Sequence, residues 1–154
     1  MTENSLRTKK VNNHAFMLEI KRLFEEGKKK SVTFVVRGFS MRPFLDDGRD
    51  KVILVPPRTP KVGDVVLAEI AEQRYALHRV IKIDNGVYTM RGDGNPLSLK
   101  EQFTEEKIVG IADGFIRKGK KVSATSLKWR CYSAVWRLLT PLRRVLLAIY
   151  RRVH

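Results

Sequence analysis

Cysteine is nearly absent from this chain of 154 residues, in which Cys131 is the only one. A single cysteine cannot form a disulfide within the chain, which is typical of a reducing compartment. We interpret Cys131 as a small apolar packing residue. Together with Cys131, the three histidines, His14, His78 and His154, show no spacing that would form a set of metal ligands. We expect neither a metal nor an organic cofactor.

Long apolar runs are also missing. The first 16 residues contain acidic and polar side chains where a secretory signal requires an uninterrupted apolar stretch. No uncharged apolar run approaches the roughly 18 residues that cross a bilayer, because Arg137, Arg143 and Arg144 interrupt the most apolar region. We therefore expect a cytoplasmic or peripherally membrane-associated protein, with no signal peptide and no transmembrane helix.

Acidic residues are missing from the C-terminal part of the chain. Positions 114–154 hold eleven Lys or Arg residues and no Asp or Glu, in a chain whose net charge is +15. Such a segment is typical of binding to an anionic lipid surface or to nucleic acid. Nucleic acid is the weaker expectation, because the sequence has no zinc-ligand spacing, no RNA-binding aromatic motif and no convincing helix-turn-helix.

The distribution of apolar residues predicts a mainly β protein with a helix at each end. Helical spacing over residues 14–26 predicts a leading helix that ends at Gly27. The apolar residues of that helix are Phe16, Ile20, Leu23 and Phe24. Short runs rich in Val, Ile and aromatic residues then recur between Gly, Pro and Asp, which is typical of β-strands. The Asn85-Gly86 pair predicts a hairpin between two of them.

The tail changes to a helical pattern from Ser126 onward. Apolar residues recur there at intervals of three and four: Tyr132, Val135, Trp136, Leu139, Leu142, Leu146, Ile149, Tyr150 and Val153. Arginine recurs every seven residues, and we expect Pro141 to kink or split the helix. The apolar face could lie in the plane of an anionic membrane, pack on the β domain or contact a second subunit. The predicted organisation is a helical segment (1–30), a β-rich domain (31–122) and a basic amphipathic tail (123–154).

The stretch VVRGFSMRPFLDDG, residues 35–48, places a serine on a bend. Gly38 permits a sharp turn, and Pro43 disfavours a helix or strand directly after Met41. A serine hydroxyl needs a base before it can act as a nucleophile. His78 is the candidate base, because it lies in a strand pattern away from the chain ends and imidazole accepts a proton near neutral pH. The alternatives are that Ser40 closes a turn and that His78 is structural.

Four short segments occur in a fixed order within residues 35–115: GFSMRP at 38–43, KVGDVV at 61–66, HRVI at 78–81 and RGDGN at 91–95. Together they resemble the nucleophile, strand-start, general-base and late G-D-x-N boxes of the type I signal peptidase and SOS-repressor serine peptidase superfamily. Because the third box begins with His-Arg-Val, the chain is similar to the histidine branch, of the endoplasmic-reticulum and archaeal type.

The resemblance implies a mainly β domain of the signal peptidase and repressor type with serine endopeptidase activity. In that case Ser40 attacks a peptide carbonyl, His78 takes its proton, and Asp93 orients the imidazole. The backbone N–H groups of Phe39 and Ser40 form the oxyanion hole. For Asp93, an Asx turn between two glycines is an equally good interpretation.

The same resemblance implies a peptide or protein substrate with small side chains near the cut, bound in an extended form and contacted by Gly38, Met41 and Pro43. Two departures favour an alternative, an inactive β module that binds an anionic membrane or a protein partner. The second acid that follows the late box in the histidine branch is missing, because PLSL occupies residues 96–99. The transmembrane anchor of signal peptidases is also missing. Self-cleavage, as in the repressors, is a third interpretation.

Overall fold

Residues 13–153 are described by the structure, a computed structural model. Eight antiparallel strands form one sheet, in which β1 to β7 follow the order β1-β2-β7-β3-β4-β5-β6 and β8 pairs with β7. The strands are β1 Val32–Val35, β2 Lys51–Val55, β3 Val65–Ala71, β4 Arg74–Asp84, β5 Val87–Arg91, β6 Glu101–Phe103, β7 Ile108–Arg117 and β8 Lys120–Ser123. The helices are α1 Asn13–Glu25, α2 Leu127–Leu138 and α3 Arg143–Val153. The expected mainly β character is confirmed.

The β4–β5 hairpin follows from its turn residues. Asn85 and Gly86 both have positive φ, 47° and 76°, which is the conformation that a two-residue type I′ turn requires. Asp84 therefore pairs with Val87, and β4 continues for 11 residues back to Arg74. The hairpin predicted from the Asn-Gly pair is confirmed. Since β4 is so long, its first half pairs with β3 and its second half with β5.

Helix α1 covers one side of the sheet. Its buried side chains, Met17, Ile20 and Phe24, recur every three to four residues and pack against Leu54, Leu67 and Val109. Gly27 follows the helix with a φ of +65°, the left-handed conformation that commonly ends a helix.

The basic tail forms two helices rather than one. Pro141 lies in a short 3-10 turn, Thr140–Leu142, that separates α2 from α3. Proline lacks the backbone N–H that an uninterrupted helix would use at this point. Trp129 of α2 is buried in the same apolar cluster as Phe44 and Phe115. One face of α2 therefore packs on the β domain.

None of the helices in the described part of the chain is long and apolar enough to cross a membrane.

Candidate active site

Ser40 and His78 are in direct contact. Ser40 lies in the loop between β1 and β2, where Gly38 turns the chain with a φ of +88° and donates its N–H to Asp47 Oδ1 at 2.8 Å. His78 lies in the middle of β4, opposite Val66 of β3, and is 6% exposed. Its Nε2 atom is 2.9 Å from Ser40 Oγ. The bend and the central strand therefore place a hydroxyl within hydrogen-bonding distance of an imidazole.

A carboxylate completes a chain of hydrogen bonds behind the histidine. Glu101, the first residue of β6, places Oε2 2.9 Å from His78 Nδ1. With a carboxylate at Nδ1, that nitrogen carries the imidazole proton and Nε2 accepts the proton of the Ser40 hydroxyl. The order hydroxyl, imidazole, carboxylate is that of a serine hydrolase triad.

The sequence-based interpretation missed Glu101. The second acid was expected within residues 96–99, which contain none, whereas Glu101 lies two positions further on, at the start of β6. An acidic residue opening the next strand was the signal that could have found it.

Asp93 does not contact His78, so the expectation that it orients the imidazole is corrected. Its carboxylate binds Arg79 through two hydrogen bonds, Nε to Oδ1 at 2.8 Å and Nη2 to Oδ2 at 2.7 Å. Successive residues of a strand point to opposite faces, so the side chain of Arg79 leaves β4 on the face opposite His78. Asp93 follows β5, whose Arg91 pairs with Arg79, and it meets the guanidinium on that face.

The Arg79–Asp93 pair is almost completely buried, with side chains 1% and 2% exposed. Burial disfavours the charged guanidinium, but the Asp93 carboxylate outweighs it, and the pKa of Arg79 is raised above its ordinary value. Arg79 also donates to the Gly63 carbonyl and to Ser133 Oγ of α2. The pair therefore joins the sheet, the late box and the tail.

We predict that Asp93→Asn weakens the fold rather than the chemistry. Removing one partner leaves Arg79 buried without a countercharge, which costs about 3–5 kcal/mol of the free energy of unfolding. Urea denaturation measures this loss. Asp84→Asn is the matched control, because Asp84 pairs with Lys82 on the surface and its loss costs about 0–1 kcal/mol. Equal stabilities of the two variants would contradict the prediction.

Glycines of the late box press against the serine loop. Gly94 donates its N–H to the Ser40 carbonyl at 2.7 Å. A Cβ atom on Gly92 would lie 2.4 Å from the Ser40 carbonyl oxygen and 2.9 Å from Ser40 Cβ, both shorter than real Cβ contacts. Only glycine fits at position 92 while Ser40 keeps its place.

Gly92→Ala is therefore expected to displace Ser40 and to lower the rate of any reaction at its hydroxyl by about 100-fold or more, since a 1 Å displacement has an effect of that size. Steady-state rates of the wild type and the variant test this. Gly119→Ala is the control: Gly119 has a φ of +77° but open space around it, so the variant strains the backbone away from the site. A Gly92→Ala variant with full activity would refute the close-approach argument.

The tail holds the late box from the other side. Trp136 Nε1 donates to the Asp93 carbonyl at 3.1 Å, and Arg143 Nη2 donates to the carbonyls of Gly92, at 3.0 Å, and Asp93. Burial lowers the pKa of Arg143 below its ordinary value, and the positive charge of the nearby Arg91 lowers it further. The C-terminal helices therefore support the loop on which Ser40 rests.

The predicted oxyanion hole lies at the turn that carries the serine. Among residues 13–153, neither the Phe39 N–H nor the Ser40 N–H is engaged in a hydrogen bond. Backbone donors free at this point could bind the oxygen that becomes negative during an acyl transfer.

A cleft of about 600 Å³ opens beside Ser40 and His78. Most of the residues that line it are apolar or aromatic, among them Phe34, Met41, Leu67, Tyr75 and Leu77. Of the three predicted substrate-contacting residues, Met41 lines the cleft. The other two do not, because Gly38 turns the chain before the serine and Pro43 lies in the bend that follows it.

No group of three or more His, Cys, Asp or Glu side chains in the described residues is arranged to hold a metal ion.

Comparison with protein-family models finds no match for this chain, and comparison with curated proteins finds none either.

Proposed function

We propose that this protein is a serine endopeptidase that resembles the histidine branch of the signal peptidases. The observation that carries the proposal is the chain of two 2.9 Å hydrogen bonds from Ser40 through His78 to Glu101, at the wall of an apolar cleft. Ser40 and His78 occupy the nucleophile and base positions of that resemblance. Glu101 supplies the acid whose apparent absence favoured an inactive module.

The mechanism follows from the three side chains. His78 Nε2 takes the hydroxyl proton as Ser40 Oγ bonds to the carbonyl carbon of the substrate, and Glu101 stabilises the imidazolium that forms. The Phe39 and Ser40 amides donate to the oxyanion. The C–N bond then breaks, and the proton on Nε2 passes to the departing amine. A water molecule, deprotonated by His78, hydrolyses the resulting ester and releases the acid product and Ser40.

The substrate in this proposal is an extended peptide. Within residues 13–153, the N-terminal part of β4, residues 74–78, pairs with β3 on one side only, and β1 is an edge strand. Both elements line the cleft, so a peptide could bind between them as an added strand. The apolar wall would receive its side chains.

The test is incubation of the full chain with a proteome-derived peptide library, with cleavage products read by mass spectrometry. The proposal expects products with shared residues near the cut that are absent when Ser40→Ala replaces the wild type. A library left intact by the wild type, or cut equally by both proteins, would show that the proposal is wrong.

A further inference from the structure

The two C-terminal helices have a second apolar face, which the β domain does not cover. The exposed aliphatic side chains of α2, α3 and the turn between them include Leu138, Leu142, Val145, Ile149 and Val153, each at least 54% exposed. The last three follow one another at intervals of four, so they lie along one side of α3. The face that contacts the domain uses other residues, among them Trp129, Trp136 and Leu147, which are buried.

The charged side chains that the tail itself carries are all positive. Arg144, Arg151 and Arg152 are exposed on α3, and Arg152 lies seven residues after Val145, on the same side of the helix. Positions 114–154 contain no acidic residue. Two copies of this face in contact would bring these arginines together and repel each other. An anionic bilayer offers the complement, negative headgroups above an apolar interior.

We propose that the outer face of α3 binds an anionic membrane surface, with the helix lying in the plane of the interface. Val145, Ile149 and Val153 enter the acyl boundary, with Leu138 and Leu142 beside them. Arg144, Arg151 and Arg152 contact the headgroups. The tryptophans of the tail do not take part, because Trp129 and Trp136 are buried in the protein itself. It is independent of the chemistry at Ser40.

The experiment is co-sedimentation of the full chain with two kinds of vesicle. One is made of phosphatidylcholine alone, and the other also contains about 30% of the anionic lipid phosphatidylglycerol. The wild type is expected to bind the anionic vesicles and to lose binding as salt is raised. Val145→Ser with Ile149→Ser is expected to weaken binding about tenfold. Leu18→Ser with Ile83→Ser is the matched control, because both residues are exposed aliphatics outside the tail helices.

Four results would overturn the proposal. The first is absence of binding to anionic vesicles at low salt. The second is binding that the Val145 and Ile149 substitutions leave unchanged, because charge alone would then account for it. The third is a concentration-dependent dimer in size-exclusion chromatography that these substitutions abolish, because a second copy would then cover the face. Preferential binding of a single-stranded oligonucleotide over the anionic vesicles would equally contradict the membrane assignment.

Discussion

Ser40→Ala is expected to lower kcat for a cleaved peptide by roughly four to six orders of magnitude, with KM little changed. The hydroxyl is the atom that bonds to the substrate carbonyl in the proposed mechanism, and no neighbouring group replaces it. The residual rate comes from the Phe39 and Ser40 amides and from substrate binding, which the substitution leaves in place. Single-turnover and steady-state rates on one library-derived peptide measure the effect.

Stability is the necessary companion measurement for this variant. Ser40→Ala removes one hydrogen bond, to His78 Nε2, which contributes about 1 kcal/mol to folding. Thermal unfolding should therefore change by only a few degrees. Ser31→Ala is the control, because Ser31 is exposed and precedes β1 outside the site. A Ser40→Ala variant that retains the wild-type rate would exclude the serine as the nucleophile.

The parts of the site that local sequence predicts are the bend and the strand. Gly38 and Pro43 flank Ser40 closely enough for their own backbone preferences to predict a turn. His78 lies in an alternating run that predicts a strand. Neither pattern predicts the distance between the side chains of Ser40 and His78. That distance depends on how the serine loop lies over the sheet, where Gly92 and Gly94 touch it.

The acid could not be assigned from spacing alone. Glu101 reaches His78 because β6 joins the sheet through β5, with Glu101 opposite Met90 and Met90 opposite Val80. The pairing of β5 with β6 is not marked by a short turn motif, so no local pattern predicts its register. Strand alternation, in contrast, does predict that the side chains of Arg79 and His78 lie on opposite faces of β4. The Asn85-Gly86 hairpin does not predict the contact between Asp93 and Arg79, because an irregularity between Val80 and Lys82 shifts the register of β4 against β5.

The tail shows the same division between local and tertiary information. Helical periodicity and Pro141 were sufficient to predict a helical tail with a break. They did not tell which apolar residues pack on the domain, because the apolar positions cover more than one face. Trp129 packs against Phe44 and Phe115, and Trp136 donates its Nε1–H to the backbone carbonyl of Asp93, so both tryptophans face the domain. Val145, Ile149 and Val153 of α3 remain exposed to solvent.

Glu101→Gln is expected to lower kcat by about two to four orders of magnitude, although the residue never touches the reacting carbonyl. The neutral amide cannot stabilise an imidazolium. If its NH₂ group donates to His78 Nδ1, the imidazole proton moves to Nε2, and Nε2 then has no lone pair to accept the Ser40 proton. The measurement is kcat on the peptide used for Ser40→Ala. Glu25→Gln, on the exposed side of α1, is the matched control.

Asp93→Asn in the same assay separates the two assignments of the acid. We expect Glu101→Gln to lose turnover while its stability is unchanged. We expect Asp93→Asn to lose stability, while the turnover of its folded fraction stays within about tenfold of the wild type. The reason is that Asp93 acts on Arg79, on the opposite face of β4 from His78. The reverse result, with turnover lost in folded Asp93→Asn and kept in Glu101→Gln, would return the orienting role to Asp93. It would also mean that the Glu101–His78 contact does not support the reaction.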